Sequence, residues 1–241
     1  FLPVLTAGPV FRYRDFARTW ASPIPLTLGR FEQSAQRIIA GLFQKVVLSS
    51  MLLKLLQTVL ALRVSFQRSL ALPAISLFVL YFDMAGYASI AIGLGHLMGI
   101  SVPENFKKPF SAPSFTQFWR NWHVTVSDWI REHVFILFRK VKLNKWYGAL
   151  ISLSVMVIMS LWHGFTLLCL IDGVLLGLVL ALEGLLGLAT VNKRKVSPVV
   201  FRLRCFVVIA LFALNSMVFT LSSTEILSVF KGYIQWIGGM L

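Results

Sequence analysis

Charge is scarce in this 241-residue chain: 13% of its residues are Asp, Glu, Lys or Arg, where a soluble domain has roughly a quarter. Acidic side chains are scarcer still, 9 against 23 basic ones, for a formal charge of +14. The two cysteines, Cys169 and Cys205, lie inside apolar stretches without a Cys-x-x-Cys spacing. That excludes a disulfide framework or a zinc-knuckle pattern and reads as buried structural thiols. No Gly-x-Ser-x-Gly elbow occurs, so a serine acyl-enzyme has no support. The alternating ten-residue strands of an outer-membrane barrel are absent, as are internal repeats and low-complexity tracts.

What remains is apolar. The chain is 57% hydrophobic, with 20 Phe and 7 Trp, and its mean hydropathy is +0.79. A lone soluble core of that composition would precipitate. The reading is all-α: a multi-spanning integral membrane helical bundle with re-entrant or interfacial helices. The basic residues fall in short bursts between apolar runs, as loops obeying the positive-inside rule do, which argues against a nucleic-acid surface. Such a basic face attracts anionic lipid or an acidic soluble partner.

Residues 1–37 carry Arg12, Arg14, Arg18, Arg30 and Arg37, broken by Pro9, Pro23 and Pro25, and read as a loop or interfacial segment leading into a helix. The run Ile38–Leu62 contains Lys45 and Lys54, which must snorkel or face protein or water if it enters the bilayer. Leu70–Leu80 continues through Asp83 to Gly99, with Ala85, Gly86, Ala88, Gly93 and Gly95 suited to close helix packing. Pro103, Pro109 and Pro113 then break regular helix.

From Phe115 the pattern changes. Phe115, Phe118, Trp122, Val126, Trp129 and His133 recur at helical spacing and predict one face of one helix. On it Asp128 attracts Arg131 and repels Glu132. The segment is too polar for a plain span and fits a re-entrant or interfacial helix packed on protein. Trp146–Trp162 and Phe165–Leu188 are credible spans. One helix over 146–189 would be about 66 Å long, twice the roughly 30 Å hydrocarbon core, so the chain must bend, at Gly164 or at Asp172-Gly173. Arg139, Lys140, Lys142 and Lys145 precede this unit and Lys193-Arg194-Lys195 follow it, which places both ends on the cytoplasmic side and His163 away from it. Val199–Thr220 is a further span with Arg202 and Arg204 at its cytoplasmic end, and Ile226–Leu241 is read as part of another.

His123 and His163 each follow a tryptophan directly, Trp122 and Trp162. An ionisable side chain at membrane depth costs at least a few kcal/mol and is a functional candidate by default; histidine also exchanges a proton near neutral pH.

Several separated stretches resemble one family. Tyr81-Phe82-Asp83-Met84-Ala85-Gly86-Tyr87 with Ile90-Ala91-Ile92-Gly93 and Pro103-Glu104-Asn105-Phe106, Phe118-Trp119-Arg120-Asn121-Trp122-His123 before Ser127-Asp128-Trp129-Ile130-Arg131, Leu161-Trp162-His163-Gly164, and Gly8-Pro9 with Arg12-Tyr13 are similar to the membrane-bound O-acyltransferases (MBOAT). The likeness covers about residues 1–175, in order, and is to the bacterial branch of alginate O-acetylation and teichoic-acid D-alanyl transfer proteins. Arg131-Glu132-His133 stands where that family usually has Arg-Asp-Tyr. The short segment between the histidines is more like the D-alanyl branch. The family's N-terminal helices have no counterpart, so residues 1–241 are expected to be a single membrane domain from an N-terminally truncated longer chain.

The resemblance implies transfer of an acetyl or D-alanyl group from a cytoplasmic activated donor to a hydroxyl of an extracytoplasmic cell-envelope polysaccharide, in the bacterial cytoplasmic (inner) membrane. It maps the family's catalytic histidine onto His163 and the second functional histidine onto His123. It implies an acyl carrier protein or acyl-CoA as donor, no tightly bound cofactor or metal, an extracytoplasmic accessory transferase and lipid as partners, and no nucleic acid. The chemistry needs few parts. A thioester is already electrophilic, so a histidine need only take the proton of the attacking hydroxyl, worth about 10²–10⁴-fold, while N–H donors receive the tetrahedral oxyanion. Trp119, Trp122, Trp162, Asn121 and Asp83 are the candidate substrate-binding residues.

Each feature also has a plainer reading. His163 can be satisfied by a neighbouring carbonyl, and His123 can be a polar packing residue. His96 and His133 read as structural or interfacial, Asp172 as a helix cap or kink, the aromatic cluster as packing or tunnel wall, and Arg120 and Arg131 as partners of carboxylates or lipid phosphate. Two competing functions stand beside the enzyme: a polysaccharide or lipid exporter, which calls for inverted repeats, and an electron-transfer protein with His123 and His163 as haem ligands.

Overall fold

The computed structural model describes residues 2–5, 8–137 and 144–239. Among them there is helix and no strand. Five helices are long and apolar enough to cross a membrane: α2 (Leu28–Leu60), α3 (Phe66–Leu97), α6 (Lys145–His163), α7 (Leu167–Leu185) and α8 (Pro198–Ser216, extended by a 3-10 turn to Phe219). Shorter ones flank them: α1 (Tyr13–Ala21), α4 (Phe115–Trp119), α5 (Val124–Leu137) and α9 (Ser223–Gly238). This is a multi-span membrane protein.

The first long helix begins ten residues before the apolar run. Thr27 caps it, its hydroxyl accepting from the Arg30 N–H at 3.2 Å, so residues 28–37 are helix, not loop. Across Phe43–Ser49 the ladder widens to a π-helical stretch, which carries Lys45. That lysine reaches Asp83 of α3 at 2.5 Å, while Lys54 is exposed. The predicted small residues do bring α2 and α3 together: a Cβ on Gly86 would lie 2.7 Å from the Gly41 carbonyl oxygen.

Helices α6 and α7 form an antiparallel hairpin. Gly173 packs on Val157 and Gly177 on Leu153, each Cβ position under 3 Å from a backbone atom. The bend falls at Gly164, where the chain turns extended, and Thr166 caps α7 by accepting from the Cys169 N–H at 3.2 Å. Asp172-Gly173 lies inside α7, whose helix runs unbroken through it, so Asp172 is not its cap. Cys169 and Cys205 are buried free thiols. The final helix α9 has 16 residues and is not among the five crossing helices. Of the basic residues flanking the hairpin, Arg139, Lys140 and Lys142 lie outside the described residues; Lys145 opens α6.

The predicted single helix over 115–133 is two. It stops after Trp119 and resumes at Val124, with His123 in the left-handed region at φ 44°. The predicted face holds through Phe115, Phe118, Trp122 and Val126, all buried. Trp129 and His133 turn outward, stacked on one another at 4.2 Å. Arg131 donates to Asp128 at 2.6 Å, and Glu132 pairs with Arg12 at 2.9 Å.

Candidate active site

Glu183, in the last turn of α7, fixes the short helix α4. Its carboxylate accepts from the N–H groups of Phe115 (2.7 Å) and Thr116 (2.9 Å) and from the Thr116 hydroxyl (2.9 Å). These are the orphan donors of a helix start, and a carboxylate there also suits the helix dipole. Gln117 adds two bonds to the backbone of Val191. So anchored, α4 drives Phe118, 0% exposed, into a core with Trp122, Leu77, Leu176 and Phe212. Trp122 stacks on Phe118 with centroids 5.5 Å apart.

His123 is held from the other side. Asn105 Oδ1 lies 3.0 Å from His123 Nδ1 and accepts from the Thr125 hydroxyl at 2.9 Å. The Asn105 carbonyl accepts from the Val124 N–H at 2.9 Å. Thr125 Oγ in turn accepts from the Val10 N–H at 2.9 Å, so the residue after Gly8-Pro9 supports the histidine through two intermediaries, Thr125 and Asn105. With the Asn105 amide so assigned, Nδ1 of His123 carries the proton and Nε2 is left as an acceptor. His123 belongs to none of the crossing helices. Burial pulls its pKa down to about 4, and nearby His163 adds to the effect, so the ring is neutral at physiological pH.

His163 closes α6. It is exposed on one side, and its ring meets the edges of Trp162 at 5.1 Å and Phe219 at 4.9 Å. His123 and His163 line one cavity of about 60 Å³ with Trp119, Trp122, Ser160, Asp172 and Asn215, walled by Met156, Met159, Leu176 and Phe212. The Trp119 indole N–H is buried without a partner. A second cavity of about 230 Å³ shares Trp119, Met156 and Met159 and continues to Arg120, Ser127, Arg131 and Ser152. Along α6 the two follow one another, the larger from Ile151 to Met159, the smaller from Met156 to His163.

The structure therefore gathers His123, His163, Trp119 and Trp122. It places three other candidates elsewhere. Trp162 is 68% exposed and packs behind His163. Asn121 spends its amide on the Gln117 carbonyl at 2.7 Å. Asp83 is the ion-pair partner of Lys45. Arg131 pairs with Asp128 as expected, and His133 bonds the Trp129 carbonyl at 2.7 Å.

The sequence reading did not name Asn105, Ser160 or Asn215 as site residues and took Asp172 as a helix cap or kink. Asp172, 7% exposed, accepts from Ser160 Oγ of α6 at 2.9 Å and from the Asn215 amide of α8, tying three helices rather than capping one. Asn105 sat inside a noted motif, and Asn215 was a lone amide in an apolar span. Among the described residues no three His, Cys, Asp or Glu gather as a metal site would require.

This frame matches a known family. Residues 1–221 fit the profile of MBOAT, the membrane-bound O-acyltransferase family. The chain belongs to it. The probable alginate O-acetylase AlgI of Pseudomonas fluorescens is 35% identical over 82% of this chain and 40% of its own length. The teichoic acid D-alanyltransferase of Streptococcus thermophilus is 33% identical over 80% of this chain and 51% of its own. The peptidoglycan O-acetyltransferase of Helicobacter pylori is 31% identical over 76% and 36%. This MBOAT chain thus spans between about a third and a half of the length of these relatives. Both of its tryptophan–histidine pairs fall within the matched residues.

Proposed function

We propose that this chain is the acyl-transfer portion of a membrane-bound O-acyltransferase, moving an acetyl or D-alanyl group from a thioester donor to a hydroxyl of a cell-envelope polysaccharide. The carrying observation is that His123 and His163, forty residues apart, line one small cavity together with Trp119, whose buried indole N–H has no partner.

The His163 imidazole makes no hydrogen bond among the described residues and is the free base. It takes the proton of the acceptor hydroxyl as the oxygen attacks the thioester carbon. Trp119 Nε1 donates to the tetrahedral oxyanion, a contribution of about 10²–10³ for one such donor. Collapse expels the thiolate, and the proton returns from His163 to sulfur. Neutral His123 adds no positive charge beside His163, so it leaves that base unimpaired, and its Nε2 offers an acceptor to what enters.

The direction of supply follows from α6. Lys145 and Lys193-Arg194-Lys195 mark its basic, cytoplasmic end, and His163 lies 18 residues away, about 27 Å along the axis. The larger cavity, with Arg120 and Arg131 at its wall, leads from that end toward His163 and suits the anionic arm of an acyl carrier protein or acyl-CoA. The acceptor arrives from the opposite side of the cytoplasmic membrane, presented by an extracytoplasmic accessory transferase. His163→Ala should abolish ester formation on envelope polymers, read by mass spectrometry, while the protein still accumulates in the membrane. Retained esterification would end this reading.

A further inference from the structure

Asn215 is 8% exposed and sits on α8 in the wall of the histidine cavity. Its amide is not free to turn. The Nδ2 group donates to Asp172, whose other carboxylate oxygen accepts from Ser160 Oγ at 2.9 Å. A carboxylate only accepts, so both neighbours must present hydrogens to it. Asp172 thereby fixes the amide: Nδ2 is turned to the carboxylate, and the other end, Oδ1, is buried with no partner.

A buried carbonyl without a donor is a costly thing to keep. Trp119, which lines the same cavity, carries an unpartnered buried donor, Nε1. The Ser160 hydroxyl proton is already used on Asp172. On the far side of the pair lies a cavity of about 450 Å³ in which Asp172 and Asn215 are the polar lining residues and the rest are apolar, Phe115, Leu168, Leu214 and Phe230 among them. Nothing there can satisfy Oδ1. A bound molecule that carries an O–H would supply the missing donor.

We propose that Asp172 and Asn215 form a hydroxyl-reading pair that selects an acceptor with a second hydroxyl beside the one acylated, a vicinal diol as in a sugar or polyol. The inference rests on the acyl-transfer reading above. The reacting hydroxyl loses its proton to His163, so that proton is not available to Asn215. The neighbouring hydroxyl donates to Oδ1 and orients the attacking oxygen. Asp172 touches neither and acts as a positioning residue through the amide.

The test compares two small acceptors, propane-1,2-diol and 1-propanol, with acetyl-coenzyme A as donor and membranes containing the chain. The readout is the ratio of kcat/KM for the two acceptors, which is independent of how much protein is folded. The wild type should favour the diol by about tenfold or more, the effect of one buried hydrogen bond. Asn215→Leu keeps similar bulk, removes the acceptor, and should bring the ratio near one. The exchange Asp172→Asn with Asn215→Asp keeps the bond between them with donor and acceptor reversed and still turns a carboxylate oxygen to the cavity; it should restore the preference. A wild-type ratio near one, an undiminished ratio in Asn215→Leu, or an exchange that stays near one overturns the pair while leaving acyl transfer standing. Failure of the wild type to acylate either acceptor from acetyl-coenzyme A, from an acetyl carrier protein or from a D-alanyl carrier protein overturns both readings.

Discussion

Asn105 Oδ1 sits 3.0 Å from Nδ1 of His123, and the same oxygen receives the Thr125 hydroxyl at 2.9 Å. Asn105 is 1% exposed and eighteen residues upstream of the ring it orients. Its replacement by Leu removes the acceptor and leaves a buried Nδ1–H and a threonine hydroxyl unpaired. A cost of about 1–3 kcal/mol follows for a buried group so stranded. Acyl transfer should fall about tenfold or more while the protein still inserts, measured as ester content against membrane abundance. Activity unchanged in Asn105→Leu would show that the tautomer of His123 does not matter.

The depressed pKa of His123 has a consequence for stability. Burial, with a smaller contribution from His163, holds the folded value at about 4, below the unfolded value of about 6.5. The folded state therefore binds the proton less well than the unfolded chain. The associated stability is fully present above about pH 6.5 and is lost as pH falls toward 4. The thermal midpoint in detergent should drop across that window. His123→Asn should flatten the drop, because asparagine tolerates the left-handed backbone and does not titrate there. An identical pH dependence in the variant would assign the acid sensitivity to another group.

The bilayer made much of this fold readable. A span must be about 20 residues long and apolar, and a bend must fall between two spans, so α6, α7 and α8 follow from composition alone. His163 stood out because little else in its stretch is ionisable. The break at His123 did not, because the 3.6-residue pattern of Phe115, Phe118, Trp122 and Val126 runs straight through it. What interrupts the helix is non-local: Lys107 N–H bonds the Asn121 carbonyl and Val124 N–H bonds that of Asn105. Asp172-Gly173 looked like a turn for the same reason. Its partners, Ser160 and Asn215, come from helices on either side in the chain. Asn215 did carry a legible signal, a polar side chain in an otherwise apolar span.

Glu183 holds the tryptophan that faces the histidines without approaching them itself. Its carboxylate gathers two N–H groups and one hydroxyl at the start of α4. Glu183→Ala leaves these donors unpaired and should cost about 1.5–3 kcal/mol, in line with lost bonds to a charged group. It should also let Trp119 drift, lowering kcat more than it alters donor KM. Glu183→Gln retains one acceptor oxygen and should fall between. A fully active, fully stable Glu183→Ala would show that α4 is positioned by its aromatic packing alone.

Gly41 and Gly86 bring the backbones of α2 and α3 into contact one turn from the Lys45–Asp83 pair. A Cβ on Gly41 would meet the Gly86 carbonyl oxygen at 2.7 Å and the Ile90 nitrogen at 2.9 Å. Both are backbone atoms, so the helices must part to admit it. Overpacking of this kind costs about 1–3 kcal/mol, and separation also stretches the 2.5 Å ion pair. Gly41→Ala should lower the thermal midpoint in detergent. Gly29→Ala, in the same helix with nothing within 4 Å of its Cβ position, should instead gain roughly 0.5–1 kcal/mol from reduced backbone entropy in the unfolded chain. Opposite signs from one substitution type in one helix isolate the close approach as the cause. If both variants shift the same way, the glycine contact is not what holds α2 against α3.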